Sequence, residues 1–237
     1  MSRIDKRADN DLRPVRIILG YQSYAEGSAL IEVGQTRVLC SVSMDERVPP
    51  FLRGGGKGWV TAEYAMLPRS TVTRTPRDKS EGRRQEIQRL IGRSLRAETD
   101  LAILGERTFI VDCDVLQADG GTRTAAITGG YVALYHAFHN LRRQDILPLM
   151  PLNKMIAATS VGIVNGNMLL DLCYEEDYQA EVDFNVVMTD KNEFVEIQGT
   201  AEGKPFSKDT ADALLSLARQ GIVKLFRIQK ETLKALS

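Results

Sequence analysis

The sequence predicts an α/β (α+β) protein made of two similar β/α halves in one compact unit. Three observations carry this. The chain reads as strands followed by a helix, twice in succession. A break at Pro148, Pro151 and Asn153 divides it roughly two to one. Its 237 residues suit one large domain or two small, intimately packed ones. The expectation is a single domain over 1–237 with internal halves of about 1–148 and 149–237. Direct self-similarity between the halves is faint, so the repeat rests on element order alone.

In chain order, residues 15–19, 28–33 and 37–43 are β-rich, and Gly34–Gln35 between the last two signals a hairpin. Gly54–Gly55–Gly56 reads as a flexible turn before a strand over Gly58–Tyr64. Residues 68–83 form a polar loop broken by Pro68 and Pro76. A helix is expected from about Arg84 to Asp100, with Ile87, Leu90, Ile91 and Leu95 as its buried stripe. Arg89, Arg93 and Arg96 share another face, suited to an interface, to solvent or to phosphates. Phe109–Leu116 alternates apolar 109, 111, 113 and 115 with Ile110, Asp112 and Asp114, which is strand periodicity. A long helix of small and apolar residues follows, from Thr124 to about Leu141. After the break come strands at 155–164, 167–173, 183–189 and 193–199, with Asn165–Gly166 as a hairpin turn. Ser207 is the expected N-cap of a final helix carrying Leu214, Leu215, Leu217, Ile222 and Leu225.

Composition narrows the class. With 43% hydrophobic and 26% charged residues the chain can bury an ordinary globular core. No run reaches the roughly 18–20 apolar residues that cross a bilayer. The first residues lack the apolar segment of a secretory signal, so no membrane association and cytoplasmic residence are expected. Cys40, Cys113 and Cys173 lie in or beside apolar runs without metal-type spacing, and read as reduced, packed thiols. Net charge is zero, but its distribution is lopsided: Arg53–Arg96 holds eleven Lys/Arg against four Asp/Glu, and Asp171–Glu202 holds ten Asp/Glu against one Lys. One half can hold a polyanion and the other a cation; two solvated surfaces of opposite sign are the alternative.

Two motifs carry chemistry. Gly120–Gly121–Thr122–Arg123 follows a strand and opens a helix, where free N–H groups attract anions, while Arg123 can bind an oxyanion bidentately. It lacks the lysine and spacing of a Walker loop. Alone it is also a common kind of turn. Asp177 and Asp183, in Glu-Glu-Asp-Tyr-Gln-Ala-Glu-Val-Asp, can hold Mg²⁺ or supply a general acid, or can belong to a solvated loop. His136 and His139 are spaced i, i+3 but have no third ligand nearby, and suit a helix surface or the core. Trp59 and Phe51 can stack bases or pack internally.

The combination resembles the ribonuclease PH family. The matching segments are Gly58–Ser70, Glu86–Arg96, Asp112–Thr124, Ser160–Gly166, Asp183–Thr189 and Gln198–Gly203, in order over nearly the whole chain. The resemblance implies a fold of two βαβ-like halves, of the type shared with a ribosomal-protein domain. It implies a phosphate-dependent 3′→5′ exoribonuclease that trims tRNA precursors, uses inorganic phosphate as co-substrate and Mg²⁺ as metal, releases nucleoside diphosphates, and assembles as a homohexameric ring, a trimer of dimers. Carried over by position, Arg83, Gly121, Thr122 and Arg123 would bind phosphate. Asp177 and Asp183 would be the catalytic and metal-binding acids, and Arg69, Arg74 and Arg77 would hold the RNA backbone. The segment from Arg77 to Arg83 is a few residues shorter than in relatives. Two rivals remain at this point: a subunit that only binds RNA, and a hydrolytic nuclease that needs no phosphate.

Overall fold

A computed structural model describes residues 3–77 and 81–236 of the chain. Residues 78–80, within the segment expected from the sequence to be shorter than in relatives, lie outside the described residues.

Strands β1 (Val15–Leu19), β2 (Gly27–Val33) and β3 (Thr36–Asp45) form successive antiparallel pairs. Strand β4 (Trp59–Met66), helix α1 (Glu81–Ala97) and strand β5 (Thr108–Gln117) make a parallel βαβ unit, giving a five-stranded sheet of order β1-β2-β3-β5-β4. Helix α2 (Thr122–Arg143) then leads to β6 (Ile156–Val164), β7 (Asn167–Leu170), α3 (Tyr174–Tyr178), β8 (Val182–Thr189), β9 (Phe194–Ala201) and α4 (Lys208–Leu233). This second sheet has the order β7-β6-β8-β9. Both β7 and β8 run antiparallel to β6, so they are parallel to each other with β6 inserted between them. The second half is thus a split form of the first half's βαβ motif.

Periodicity locates the elements, and local chemistry moves their ends. Helix α1 begins at Glu81 rather than Arg84, so Arg83 sits in its first turn instead of in the loop. Helix α2 begins at Thr122, because Gly121 adopts a left-handed backbone (φ 64°) and acts as its N-cap. Strand β7 stops at Leu170 rather than 173, because Asp171 turns to φ 55° and leaves the ladder. Asn165 and Gly166 both take positive φ, the geometry that suits a two-residue hairpin. Ser207 accepts a hydrogen bond from the Thr210 N–H and caps α4.

The core follows the expected stripes. Phe109, Val111, Cys113 and Val115 of β5 face Ile87, Leu90, Ile91 and Leu95 of α1 and the apolar body of α2 in one cluster. Burying each large aliphatic side chain contributes roughly 1.5–3 kcal/mol. Every residue of α2 from Thr124 to Leu134 is buried, since the helix packs on β2 and β3 on one side and β6 on the other. A helix covered all round needs small and apolar residues on every face, as its sequence supplies. Polar stitches join the layers. Thr128 exchanges hydrogen bonds with the Ala158 backbone, and the buried Gln229 amide donates to Thr128 O and Ile156 O at 3.0 and 2.9 Å.

The α1 arginines divide their tasks. Arg93 makes a bidentate pair with Glu196 of β9 at 2.9 and 2.7 Å, tying the basic segment to the acidic one. The Arg96 guanidinium lies 4.1 Å from the Trp59 ring centroid and donates to Val60 O. Arg89 is exposed. Trp59 also meets Phe51 edge-on, so its ring is used in packing. His136 accepts from the Ser28 N–H. Among the described residues no helix is long and apolar enough to cross a membrane.

Candidate active site

Where β5 ends, Thr36 organises the turn: its hydroxyl accepts from Asp119 N–H (2.9 Å) and donates to Gly120 O (2.7 Å). Gly120 and Gly121 both take positive φ, 72° and 64°. Glycine is required at position 120 for a second reason. A Cβ there would lie 2.6 Å from Leu172 O and 2.8 Å from Tyr174 N, the start of α3. The phosphate-type turn and the helical turn that carries Asp177 are therefore in direct backbone contact. Asp119 adds to this by accepting from Tyr174 N–H at 3.2 Å. No side chain caps the N-terminus of α2, which leaves its first N–H groups and the positive end of its dipole open to an anion.

Side chains converge on that turn. The Tyr64 hydroxyl of β4 is 2.8 Å from Thr122 Oγ1, and Arg123 Nη1 donates to Gln198 Oε1 of β9 at 3.3 Å. Burial raises the Tyr64 hydroxyl pKa, against the bond to Thr122 and the charges of Arg83 and Arg123. Arg83, Arg123, Thr122 and Tyr64 thus share one corner built from α1, α2 and β4.

Both aspartates face the same corner. Partial desolvation lifts the Asp177 carboxyl above its ordinary value, opposed by Arg123, Arg83 and Arg13. The Asp177 residue nonetheless remains exposed to solvent. Asp183, half-buried at the start of β8, is raised by burial and by the like charges of Asp177 and Glu202, against Arg123. The two carboxylates therefore repel one another across a shared space. Such a pair suits a divalent cation held by one or two carboxylates, with substrate oxygens and water filling its other positions. No group of three or more His, Cys, Asp or Glu among the described residues offers a closed metal cage.

The structure brings together Arg83, Gly121, Thr122, Arg123, Asp177 and Asp183. It keeps Arg69, Arg74 and Arg77 apart, exposed on the loop that follows β4. That loop is tethered beside the turn by Ala118 N–H donating to Ser70 O at 2.8 Å. Sequence reasoning missed Tyr64, Gln198, Asp119 and Arg13 as parts of the site. Tyr64 and Gln198 lie inside segments quoted for the resemblance, whereas Arg13 carries no local signal.

Comparison with known proteins places the chain in a family. The model for the 3′ exoribonuclease family, domain 1, matches residues 11–138, and that for domain 2 of the same family matches 154–221. The chain is 65% identical over 234 residues to ribonuclease PH of Dehalococcoides mccartyi, covering 97% of each chain. It is 58% identical over 237 residues to ribonuclease PH of Syntrophomonas wolfei, covering 98% of this chain and 99% of the relative. In fold it resembles a chain of the Archaeoglobus fulgidus exosome with RNA bound to the active site, with a TM-score of 0.82, 24% identity, and 97% and 92% of the two chains covered. A chain of an archaeal exosome core gives a TM-score of 0.78 at 22% identity, covering 96% and 91%. With both halves matched and the relatives covered almost end to end, the chain belongs to the ribonuclease PH group of the 3′ exoribonuclease family.

Proposed function

We propose that the corner between α1, α2, α3 and β8 cleaves RNA by phosphorolysis. The protein is a phosphate-dependent 3′→5′ exoribonuclease acting on tRNA precursors. An oxygen of inorganic phosphate attacks the phosphorus of the terminal linkage, and the bond from that phosphorus to the 3′ oxygen of the preceding nucleotide breaks. The 3′ oxygen leaves with a proton, and the terminal nucleotide departs as a nucleoside diphosphate. Attack of one anion on another is the central barrier. Arg83, Arg123, Thr122 and the free N–H groups of α2 bind and orient the attacking phosphate, which lowers that barrier without reorganisation at the moment of reaction. Asp177 and Asp183 would hold Mg²⁺, which when bound offsets charge at the scissile phosphate. One of the two can instead protonate the leaving oxygen, and the raised carboxyl of each favours that role over its free counterpart. Arg69, Arg74 and Arg77, exposed on the loop beside the turn, would supply sequence-independent grip on the RNA backbone.

The observation that supports this reading best is the backbone contact of Gly120 with the start of α3, which sets the anion turn against the acidic one. Assembly as a homohexamer, a trimer of dimers, fits the likeness to exosome chains. Cytoplasmic residence fits the three free thiols. Product analysis with and without phosphate tests the reaction. Nucleoside diphosphates formed only when phosphate is present are expected; monophosphates formed without it would establish hydrolysis, and no products would leave RNA binding alone.

A further inference from the structure

Helix α3 presents a physical difficulty that its neighbours resolve. Five residues cannot hold a helical turn in water by themselves. Yet this turn carries Asp177, whose placement against the phosphate corner sets the geometry of the reaction. Three arginines from the N-terminal segment converge behind it. Arg3 grips Glu176, the residue before Asp177, through Nε and Nη2 at 2.8 and 2.7 Å, with both side chains buried. Arg3 also donates to Leu170 O and Asp171 O, at the end of β7. Arg7 donates to Asp171 O at 3.1 Å and lies 3.5 Å from the Asp171 carboxylate and 3.6 Å from that of Glu176. Arg13 takes hold of the Asp171 carboxylate through its backbone N–H, Nε and Nη2, at 2.8, 3.0 and 2.7 Å. The same guanidinium donates to Asp119 O and Gly120 O on the phosphate turn.

We infer that Arg3 and Arg13 are positioning residues for the reaction: Arg3, through Glu176, fixes Asp177, and Arg13, through Asp171 and the 119–120 carbonyls, fixes the phosphate turn relative to it. Stability alone gives a poor account of the network. Buried ion pairs repay their desolvation only when geometry is excellent, and apolar replacements often serve as well. Here the bidentate forks are directed at two short pieces of backbone that must keep a fixed separation, and Asp171, held at φ 55°, is the hub that joins them. The inference rests on the reading of Asp177 as an acid or metal ligand.

The two arms predict different kinetic signatures. Arg3→Ala and Glu176→Gln should lower kcat by about 10–100-fold, the usual scale for losing an outer-shell partner, with the phosphate KM within about twofold of the parent. Arg3→Lys keeps the charge but loses the fork, and should recover part of kcat. Arg13→Lys should chiefly raise the phosphate KM. All are measured well below Tm, on protein shown to be folded by circular dichroism. If Arg3→Ala does not fold, Arg3→Lys carries the test, with reduced kcat and a native spectrum expected. A folded Arg3 variant with parental kcat and only a lower Tm would overturn the inference. Asp177→Asn runs beside them: if it keeps full turnover, the role of Asp177 itself fails, whereas its loss beside an unaffected Arg3 variant refutes the brace alone.

Discussion

The phosphate corner and the arginine loop that borders it are built on opposite principles. The corner is over-determined: Gly120 touches the α3 backbone, Thr36 bridges Asp119 and Gly120, and the buried Arg13 ties both to Asp171. The loop over 68–77 is held mostly by itself, through Thr75 N–H to Pro68 O, Arg69 to Val72 O and Thr71 to Thr73 O, and Val72 is 93% exposed. Bond-breaking needs atoms fixed to a fraction of an ångström, whereas holding a phosphodiester backbone needs only positive charge within reach. Substitutions in the two regions should therefore differ in kind as well as in size.

Replacing Asp183 with Asn should have the largest effect, cutting turnover by about 10²–10⁴-fold, the range for losing a general acid or base. RNA affinity, read by filter binding, should stay near the parental value. Full turnover in this variant would remove Asp183 from the chemistry. Arg123→Ala comes next. Losing hydrogen bonds to a charged ligand costs about 1.5–3 kcal/mol, so the phosphate KM should rise by roughly one to two orders of magnitude. Gly120→Ala should destabilise the fold by about 1–3 kcal/mol, because the new Cβ meets backbone that cannot yield; Thr73→Ala in the loop should stay within about 0.5 kcal/mol. Equal shifts in Tm would erase the contrast between the regions.

In the loop, Arg74→Ala and Arg77→Ala should each weaken RNA binding and flatten its dependence on log salt by about one unit, leaving the phosphate KM unchanged. A changed phosphate KM would place these side chains in the corner instead. The smallest effect concerns pH. Because Asp177 and Asp183 are raised, folding favours their neutral forms. Their contribution to stability is present below the ordinary carboxylate range and is lost as pH rises through the folded values. At neutral pH both are then a modest cost, so Asp177→Asn should raise Tm slightly while lowering turnover. A lower Tm would reverse the sign assigned here.

What was legible in the sequence follows from the range of the forces involved. The stripe Ile87, Leu90, Ile91 and Leu95, the alternation through β5 and the Asn165–Gly166 turn are local patterns, and the structure keeps them. The corner's residues were identified through the family resemblance, since Gly-Gly-Thr-Arg and a pair of aspartates are each too common to decide anything alone. Arg13 and Asp171 carry no local signal because their pairing joins the two halves across 158 positions of sequence. The start of α1 was misplaced because arginines fit a polar loop as readily as a helix's first turn. The fate of Arg93 depended on Glu196, a residue of the other sheet.

Helix α2 has a consequence for how such proteins can diversify. Its buried surface serves β2 and β3 on one side and β6 on the other, and Gln229 of α4 bonds both to it and to β6. Cutting the chain in the 148–153 connection would bare apolar surface on both products. Exchanging one half for that of a distant homologue would require every side chain around this helix to suit two foreign neighbours at once. The two segments are therefore one folding unit in packing terms, joined through a helix that neither can leave uncovered.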